Sequence, residues 1–355
     1  SIQSPDNDEP CGAILLNVAN TCNNITGTNV NASATTGVPD PVCLSGNGNY
    51  AGGDVWYKAV VPANGHLFFI TSPGSLTNGG LALYKGTCNA LQFIACETTQ
   101  GPGEMGEMSF VNLTPGDTIW ARVWEEGNNV FGDFSICVTS NPIASAPVCN
   151  INTAAGASCA TATSICSLDG YCGNTISFGA TFWPELNTEF KTCIGNTNPG
   201  VIIQNNSFLK FTAAATSAQF KVWVTSTTKG IGIQMMFFET NTCGSGPVVC
   251  HGGYDDIRPG PEKLITATGL IPGNTYYLMV DGVSNDQCNY VIGAVNGLSS
   301  LSVSSSASAI CNGQPVTLNA SGFGSTYTWT WTNTAGPQTF TGATLTDNPT
   351  QTTNY

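Results

Sequence analysis

The chain has 355 residues, of which only 9% are charged, with a net charge of −13 and 15 cysteines against two histidines. That length is too great for one sandwich core and predicts two or three domains. The acidic balance excludes the electrostatic footprint of a nucleic-acid binder and a polybasic lipid-binding patch, and no apolar run reaches membrane-spanning length.

Charge is uneven along the chain. Residues 1–145 carry 12 acids and 3 bases, 146–297 carry 9 and 6, and 298–355 carry 1 and 0, so the acidity sits mainly in the first part. Clustered carboxylates make a divalent cation a more natural partner than a polyanion. The polar surface is built from Asn, Thr, Ser and Gly, which suits short strands and many turns.

In chain order, the start SIQSPDNDEP reads as that of a mature exported protein. DVWYKAVVPANGHLFFIT (54–71) and then LALYKGTCNALQFIAC (81–96) predict strands and a cysteine loop. NLTPGDTIWARVW (112–124) predicts a turn and an alternating strand. The pattern then repeats, as NSFLKFTAAATSAQFKVWVT (206–225), IQMMFFETNTCGSGPVVC (233–250) and GLIPGNTYYLMV (269–280). NPIASAPV (141–148) reads as a short, stiff linker. No amphipathic helix of ordinary length is expected. The fold class is therefore all-β: tandem disulfide-rich antiparallel β-sandwiches of jelly-roll type over 1–145 and 146–297. Strands at 299–305, 315–320 and 326–332 predict a partial Ig-like sandwich over 298–355.

Zinc-type cysteine spacing is absent, so the cysteines read as disulfides in an oxidising, extracellular compartment. Six fall in the first copy and eight in the second, both even, with Cys311 left over. Cys88 with Cys96, and Cys243 with Cys250, occupy the same place in the repeat and are expected as local bridges. Cys22 with Cys43, and Cys172 with Cys193, are the next pairings. Other connectivities remain open, since six cysteines allow 15 patterns and eight allow 105.

These motifs resemble a family of secreted Bacteroidota domains related to the bacterial pre-peptidase C-terminal domain. DNDEPCGA, GGDVWYKAVVPANG, the LALYKGTC loop and LTPGDTIWARVWEEGNNVFGDFSICV carry the resemblance in the first copy. NNSFLKFTA, the second cysteine loop, GLIPGNTYYLMVDG and CNYVI carry it in the second. The last segment resembles the Ig-like and PKD-type modules of bacterial surface proteins, in which a stretch like NPTQTTNY runs into a final strand and a late cysteine. The resemblance implies an N-terminal region of a longer protein exported by the type 9 secretion pathway, as in gliding-motility adhesins. Its partners would be a glycan or another surface protein, with secretion-translocon components during export. The alternative is a set of accessory modules on a secreted peptidase or glycoside hydrolase.

The resemblance also implies a calcium ion shared by the acidic start (Asp6, Asp8, Glu9) and the strand opening at Asp54, where hard oxygen ligands suit Ca²⁺. The alternative is a solvated acidic terminus. The second copy lacks the DNDEP start, and Asn206-Ser207 stands in place of Gly53-Asp54, so no calcium is expected there. Glu125, Glu126 and Asp133 form a second acidic set beside a loop. In TIWARVWEE, Ile119, Ala121 and Val123 point one way and Trp120, Arg122 and Trp124 the other. Exposed, that second face suits a sugar ring or a protein partner. Because large aromatics are mostly buried, a covering loop is the competing expectation.

Catalysis finds little support. Neither His66 nor His251 lies near a nucleophile motif such as GxSxG. Sequons at Asn24, Asn31, Asn112, Asn205 and Asn319 lose their meaning in a bacterium. Asp117-Thr118-Ile119 resembles the O-glycosylation motif of Bacteroidota, with Thr118 as acceptor, although a strand entry favours burial.

Overall fold

A computed structural model describes residues 3–43, 50–98, 103–127, 130–141, 146–149, 154–165, 170–176, 178–179, 183–195, 202–298, 302–321 and 327–355. Cys166, the middle of the expected 141–148 linker and the first residues of the strands expected at 299 and 326 lie outside them. The chain is almost all β, 48% strand against 6% helix, arranged as several antiparallel sheets in multi-domain sandwiches.

The first copy contains β1 (Ile14–Leu15), β2 (Ile25–Thr28), β3 (Val55–Val60), β4 (Leu67–Pro73), β5 (Asn78–Thr87), β6 (Ala90–Glu97), β7 (Glu104–Met105), β8 (Glu107–Phe110), β9 (Thr118–Glu125) and β10 (Asp133–Thr139). One sheet runs β1-β3-β9-β5-β6, with β7 also on β5; the other runs β2-β10-β4-β8. The second copy contains β11 (Thr163–Ser164), β12 (Tyr171–Asn174), the helix α1 (Pro184–Cys193), β13 (Ser207–Thr212), β14 (Ser217–Ser226), β15 (Ile233–Glu239), β16 (Val249–Ile257), β17 (Lys263–Thr268), β18 (Thr275–Gly282) and β19 (Asn289–Asn296). Its sheets run β11-β13-β18-β15-β16 and β12-β19-β14-β17. Strand for strand this is the order of the first copy. Even the short parallel first strand recurs, β1 on β3 and β11 on β13, each after a 3₁₀ turn.

Alternation along each strand decides what the sheets enclose. Val55, Tyr57 and Ala59 of β3 and Ile119, Ala121 and Val123 of β9 face inward, meeting Phe69, Phe134 and Ile136 of the other sheet. Leu209, Phe211, Tyr276, Leu278 and Val280 do the same in the second copy, against Phe220, Val222 and Ile292. This period-2 burial is what the sequence pattern predicts. The register corrects one motif alignment. Val55 pairs with Val123 and Ser207 with Val280, so Asn206, not Ser207, occupies the place of Asp54.

The helix α1 was not foreseen. It starts with Pro184 at its first turn, carries Glu185 there and Lys191 in its last turn, and buries Leu186 and Phe190 on one face. These are standard helix signals and an i, i+4 apolar pair. A single short stripe in a Thr- and Asn-rich segment is easily read as loop.

The last segment holds β20 (Ser302–Ser305), β21 (Val316–Ser321), β22 (Thr328–Asn333), β23 (Gly336–Thr341) and β24 (Thr344–Asp347). They form a β20-β21-β24 sheet and a β22-β23 hairpin around Val316, Leu318, Trp329 and Leu345.

All four expected disulfide pairings are corrected. Among the described residues the bridges are Cys11–Cys88, Cys22–Cys137, Cys43–Cys96, Cys149–Cys172, Cys159–Cys243 and Cys193–Cys250. Cys88 sits at the tip of the β5–β6 hairpin, whereas Cys96 lies six residues along β6. At the strand rise that separation is about 20 Å, too far for a bridge. Cys243, in the β15–β16 loop, and Cys250, at the start of β16, are instead bridged to Cys159 and Cys193. Cys22 and Cys172 lie at the β2 and β12 sheets, while Cys43 and Cys193 lie over the opposite sheets through Cys96 and Cys250. Two bridges are nevertheless shared by the copies. Each ties a 3₁₀ turn to the hairpin tip (Cys11–Cys88, Cys159–Cys243) and a covering segment to the edge strand (Cys43–Cys96, Cys193–Cys250). Among the described residues, Cys288 is an unpaired buried thiol, its pKa pushed up by burial, and Cys311 is unpaired and exposed.

Candidate functional site

Two places in the molecule concentrate chemistry. The first is the outward face of β9. Trp120, Arg122 and Trp124 do share this face, but they are covered: Trp120 is 6% exposed, and Arg122 and Trp124 are fully buried. The expectation of an open aromatic face is therefore corrected, and the covering loop is the outcome. Residues 29–43 and 50–54 form the cover, with Val38, Cys43 and Tyr50 packed on Trp56, Tyr84, Trp120 and Trp124.

Asp54 is the anchor of this cover. Its carboxylate accepts from Arg122 Nε at 2.8 Å, from Thr35 Oγ1 at 2.7 Å, from Thr35 N at 3.1 Å and from Tyr50 Oη at 2.5 Å. Arg122 also donates to the Tyr50 and Tyr84 hydroxyls, and its guanidinium lies 4.0 Å from the Tyr50 ring centre and 5.1 Å from that of Trp56. Burial works against the Arg122 charge, but Asp54 more than offsets it and its pKa is raised. Burial pushes the Tyr50 hydroxyl far up, helped by its bond to Asp54, and the Tyr84 hydroxyl up to about 12. Trp56 Nε1 donates to Thr35 Oγ1 and Tyr84 Oη to Pro39 O, so the loop is held at several points. Gly52, at φ +100°, lets the loop pass Ala34; a Cβ there would lie 2.7 Å from the Ala34 methyl.

This arrangement does not fit calcium. Asp54 is committed to a guanidinium, a threonine and a tyrosine. Asp8 accepts from Ser33 N and Ser33 Oγ, capping the same loop. Glu9 has a raised pKa, mainly from burial and then from Asp8 and Asp54. Asp6 is exposed. Among the described residues no group of three or more His, Cys, Asp or Glu side chains is arranged to hold a metal ion. The DNDEP start instead works through Asn7, which is buried and exchanges backbone and side-chain hydrogen bonds with Trp56. In the second acidic set, Glu125 is buried at the end of β9, Asp133 is exposed at the start of β10, and burial raises the Glu126 carboxyl.

The second place is the seam where the two copies meet, and sequence reasoning missed it. Arg258, from the second copy, reaches β6 and β8 of the first. Its Nε donates to Asp256 Oδ1 at 2.6 Å and its NH1 to the Glu107 carbonyl; Glu107 and Glu97 carboxylates lie at 3.5 and 3.8 Å. The Phe68 ring lies beneath it, 5.6 Å from the guanidinium carbon to the ring centre. His66 lies nearby, buried. Its Nδ1 accepts from Asn141 N, so the neutral ring donates from Nε2 to Ser109 Oγ at 3.0 Å. Ser109 Oγ in turn donates to Pro259 O of the second copy. Burial holds the His66 pKa below its usual value, against the hydrogen bonds around it. Among the described residues no carboxylate bonds to this histidine. Backbone contacts complete the seam: Ser109 N donates to Gly230 O at 2.8 Å and Asn112 Nδ2 to Thr225 O at 3.0 Å. A Cβ on Gly230 would strike the Phe110 ring at 2.4 Å. No local motif marks this contact because the partners of Arg258 in the first copy lie about 150 residues away in sequence.

The remaining candidates scatter. His251 contacts Thr268 O at 2.9 Å and Glu239 at 3.5 Å. Asn24, Asn31, Asn112 and Asn319 are exposed, whereas Asn205 is buried and bonded to Thr175, Gly282 and Asp286. Thr118 is half-buried. Two open grooves lie in the last segment. One, of 530 Å³, is lined by residues including Ile310, Val316, Leu318 and Tyr355; the other, of 470 Å³, lies beside Trp331. No helix among the described residues is long and apolar enough to cross a membrane.

No family model matches the chain, and no curated protein matches it. Among solved structures it is similar to an uncharacterized protein from Burkholderia cenocepacia, at 10% identity over 68% of this chain and 76% of that one, with a TM-score of 0.18. It is similar to tripeptidyl peptidase 2 at 10% identity, over 82% of this chain and 24% of that one, TM-score 0.19. It is similar to the PBSX exported protein XepA at 9% identity, over 76% and 86%, TM-score 0.20. Likenesses this weak carry no argument.

Proposed function

We propose that this chain is a non-catalytic region of a secreted or cell-surface protein, with two cross-linked sandwiches as a stiff carrier and adhesion to a glycan or protein as its task. The observation that supports this most is the use of the reactive-looking side chains. Asp54, Arg122, His66 and Ser109 are all buried and spend their polar groups on holding loops and copies in place, and Trp124 is buried beneath the same cover. Six disulfides suit an oxidising, extracellular setting. Export by the type 9 pathway is the route that the sequence resemblance implies. We assign ligand contact to the last segment, where Trp331 lies against the partly exposed Tyr355 between the two grooves. An aromatic pair beside threonines and Gln338 suits a sugar ring.

The test is binding of the full chain to a glycan array and to bacterial surface protein, alongside Trp331→Ala. The variant is expected to lose most of the binding at an unchanged Tm. Turnover of a peptide or glycoside substrate by the purified chain, or binding unaffected by Trp331→Ala, would overturn the respective half of the reading.

A further inference from the structure

The seam around Arg258 holds an unbalanced set of charges. Three carboxylates (Glu97 on β6, Glu107 on β8 and Asp256 on β16) surround one guanidinium, whose side chain is 17% exposed. Fully ionised, the set carries a net charge of two negatives in a partly dry seam. Glu97 is the group with the least direct share of Arg258, at 3.8 Å, and is therefore the natural place for a proton, although the Glu107 backbone N–H that it accepts at 2.6 Å favours its ionised form.

We propose that this seam is a proton-set clasp, in which protonation of Glu97 tightens the docking of the second copy onto the first and ionisation loosens it. The guanidinium keeps Asp256, the Glu107 carbonyl and the Glu107 carboxylate when Glu97 is neutral, so the clasp holds while its surplus negative charge falls. Burial pushes the Glu97 carboxyl up to about 7, against Arg258 and the Glu107 N–H, with Glu107 and Asp256 adding to the rise. Burial likewise raises Glu107 against the pull of Arg258. Undocking returns Glu97 to water and to its ordinary value of 4.5. The docked form then holds an extra proton between these two values. The proton-linked part of docking is complete below the lower value and is lost as the pH rises through about 7. His66 faces the same seam through Ser109 and acts in the opposite sense, because it is buried neutral and gains a proton on release as the pH falls below its ordinary 6.5.

Amide hydrogen exchange on the full chain separates these effects. Ser109 is the reporter, since its N–H crosses the seam to Gly230. After correction for intrinsic exchange, wild type and Glu97→Gln are expected to match only below about pH 4.5. Wild-type protection should then fall relative to the variant as the pH rises, by about a further tenfold between pH 6 and pH 8. The comparison cancels His66, which is present in both. Arg258→Met is expected to lower Ser109 protection at least tenfold at both pH values, with amides in β9 and β18 unchanged. If that variant unfolds, Arg258→Lys replaces it, keeping the charge but not the fork. A wild-type to Glu97→Gln ratio that stays flat from pH 6 to 8 overturns the proton switch. Intact Ser109 protection without the arginine fork overturns the clasp itself.

Discussion

In the first copy the outward face of β9 presents Arg122 and is covered by an irregular loop; in the second, the matching position of β18 presents Met279 and is covered by α1. Asp54 and Arg122 of one correspond to Asn206 and Met279 of the other. Phe208, Met236, Phe238 and Met279 meet Trp183, Leu186 and Phe190 of the helix cap. The same strand order and the same two bridges thus support opposite chemistries. A helix satisfies its own backbone and needs only an apolar stripe to dock. A loop cannot do this, so the first copy supplies directional partners, with Asp54 taking Thr35 N and Arg122 filling the cage. A buried ion pair is weak evidence for stability, yet breaking one side leaves an unpaired buried charge.

Swapping the pair is the strongest test of that comparison. Arg122→Met alone should destabilise the first copy by about 3–5 kcal/mol in denaturant unfolding, because Asp54 stays buried without its cation. Adding Asp54→Asn, which copies the second repeat, should recover most of the loss. A double variant no better than the single would show that the loop needs the charges themselves.

The bridges come next. Replacing Cys43 and Cys96 by serine, or Cys193 and Cys250, should cost about 2–5 kcal/mol in each copy and free the cover in both. Peptide mapping without reduction should recover Cys11–Cys88 and Cys159–Cys243; a Cys88–Cys96 peptide would restore the local-hairpin pattern.

A smaller difference is set by pH. Asp281 stands where the first copy has Trp124. It is fully buried and accepts from Gln204 N, Asn205 N and Gln234 Nε2, with no cation paired to it among the described residues. Burial pushes its carboxyl up to about 7, against those hydrogen bonds. Its folded pKa exceeds the unfolded one, so this contribution is present at low pH and is lost as pH rises through about 7. The second copy should lose up to about 1.4 kcal/mol per pH unit within that window, and Asp281→Asn should flatten the slope. An identical pH profile for that variant would remove Asp281 from the account. The smallest expected effect is that of EDTA. With Asp54 bound to Arg122, melting with and without chelator should coincide. A drop of several degrees would return calcium to the acidic start.

Much of this was legible in the sequence, and particular residues show why. Alternation in TIWARVW correctly separates Ile119, Ala121 and Val123 from Trp120, Arg122 and Trp124, because side chains on a strand alternate by geometry alone. It does not say what covers the second set. The Pro184 start and the Leu186/Phe190 pair were readable signals of α1, hidden by a polar context. The cysteine count was informative about compartment, but pairing by proximity in sequence failed, since each bridge joins segments brought together by the sheets.

Sequence by itself determined the repeat, the strands, the turns and the inward faces, all of which follow from periods of a few residues. Only the tertiary structure decided that Asp54 meets Arg122, that Cys11 meets Cys88 and that Arg258 meets Glu97 and Glu107. These partners are 68, 77 and about 150 residues apart. Contacts at such range depend on how loops cross a sheet and how two sandwiches dock. No local preference along the chain encodes either, because the interaction energies that select them exist only once the sheets have formed.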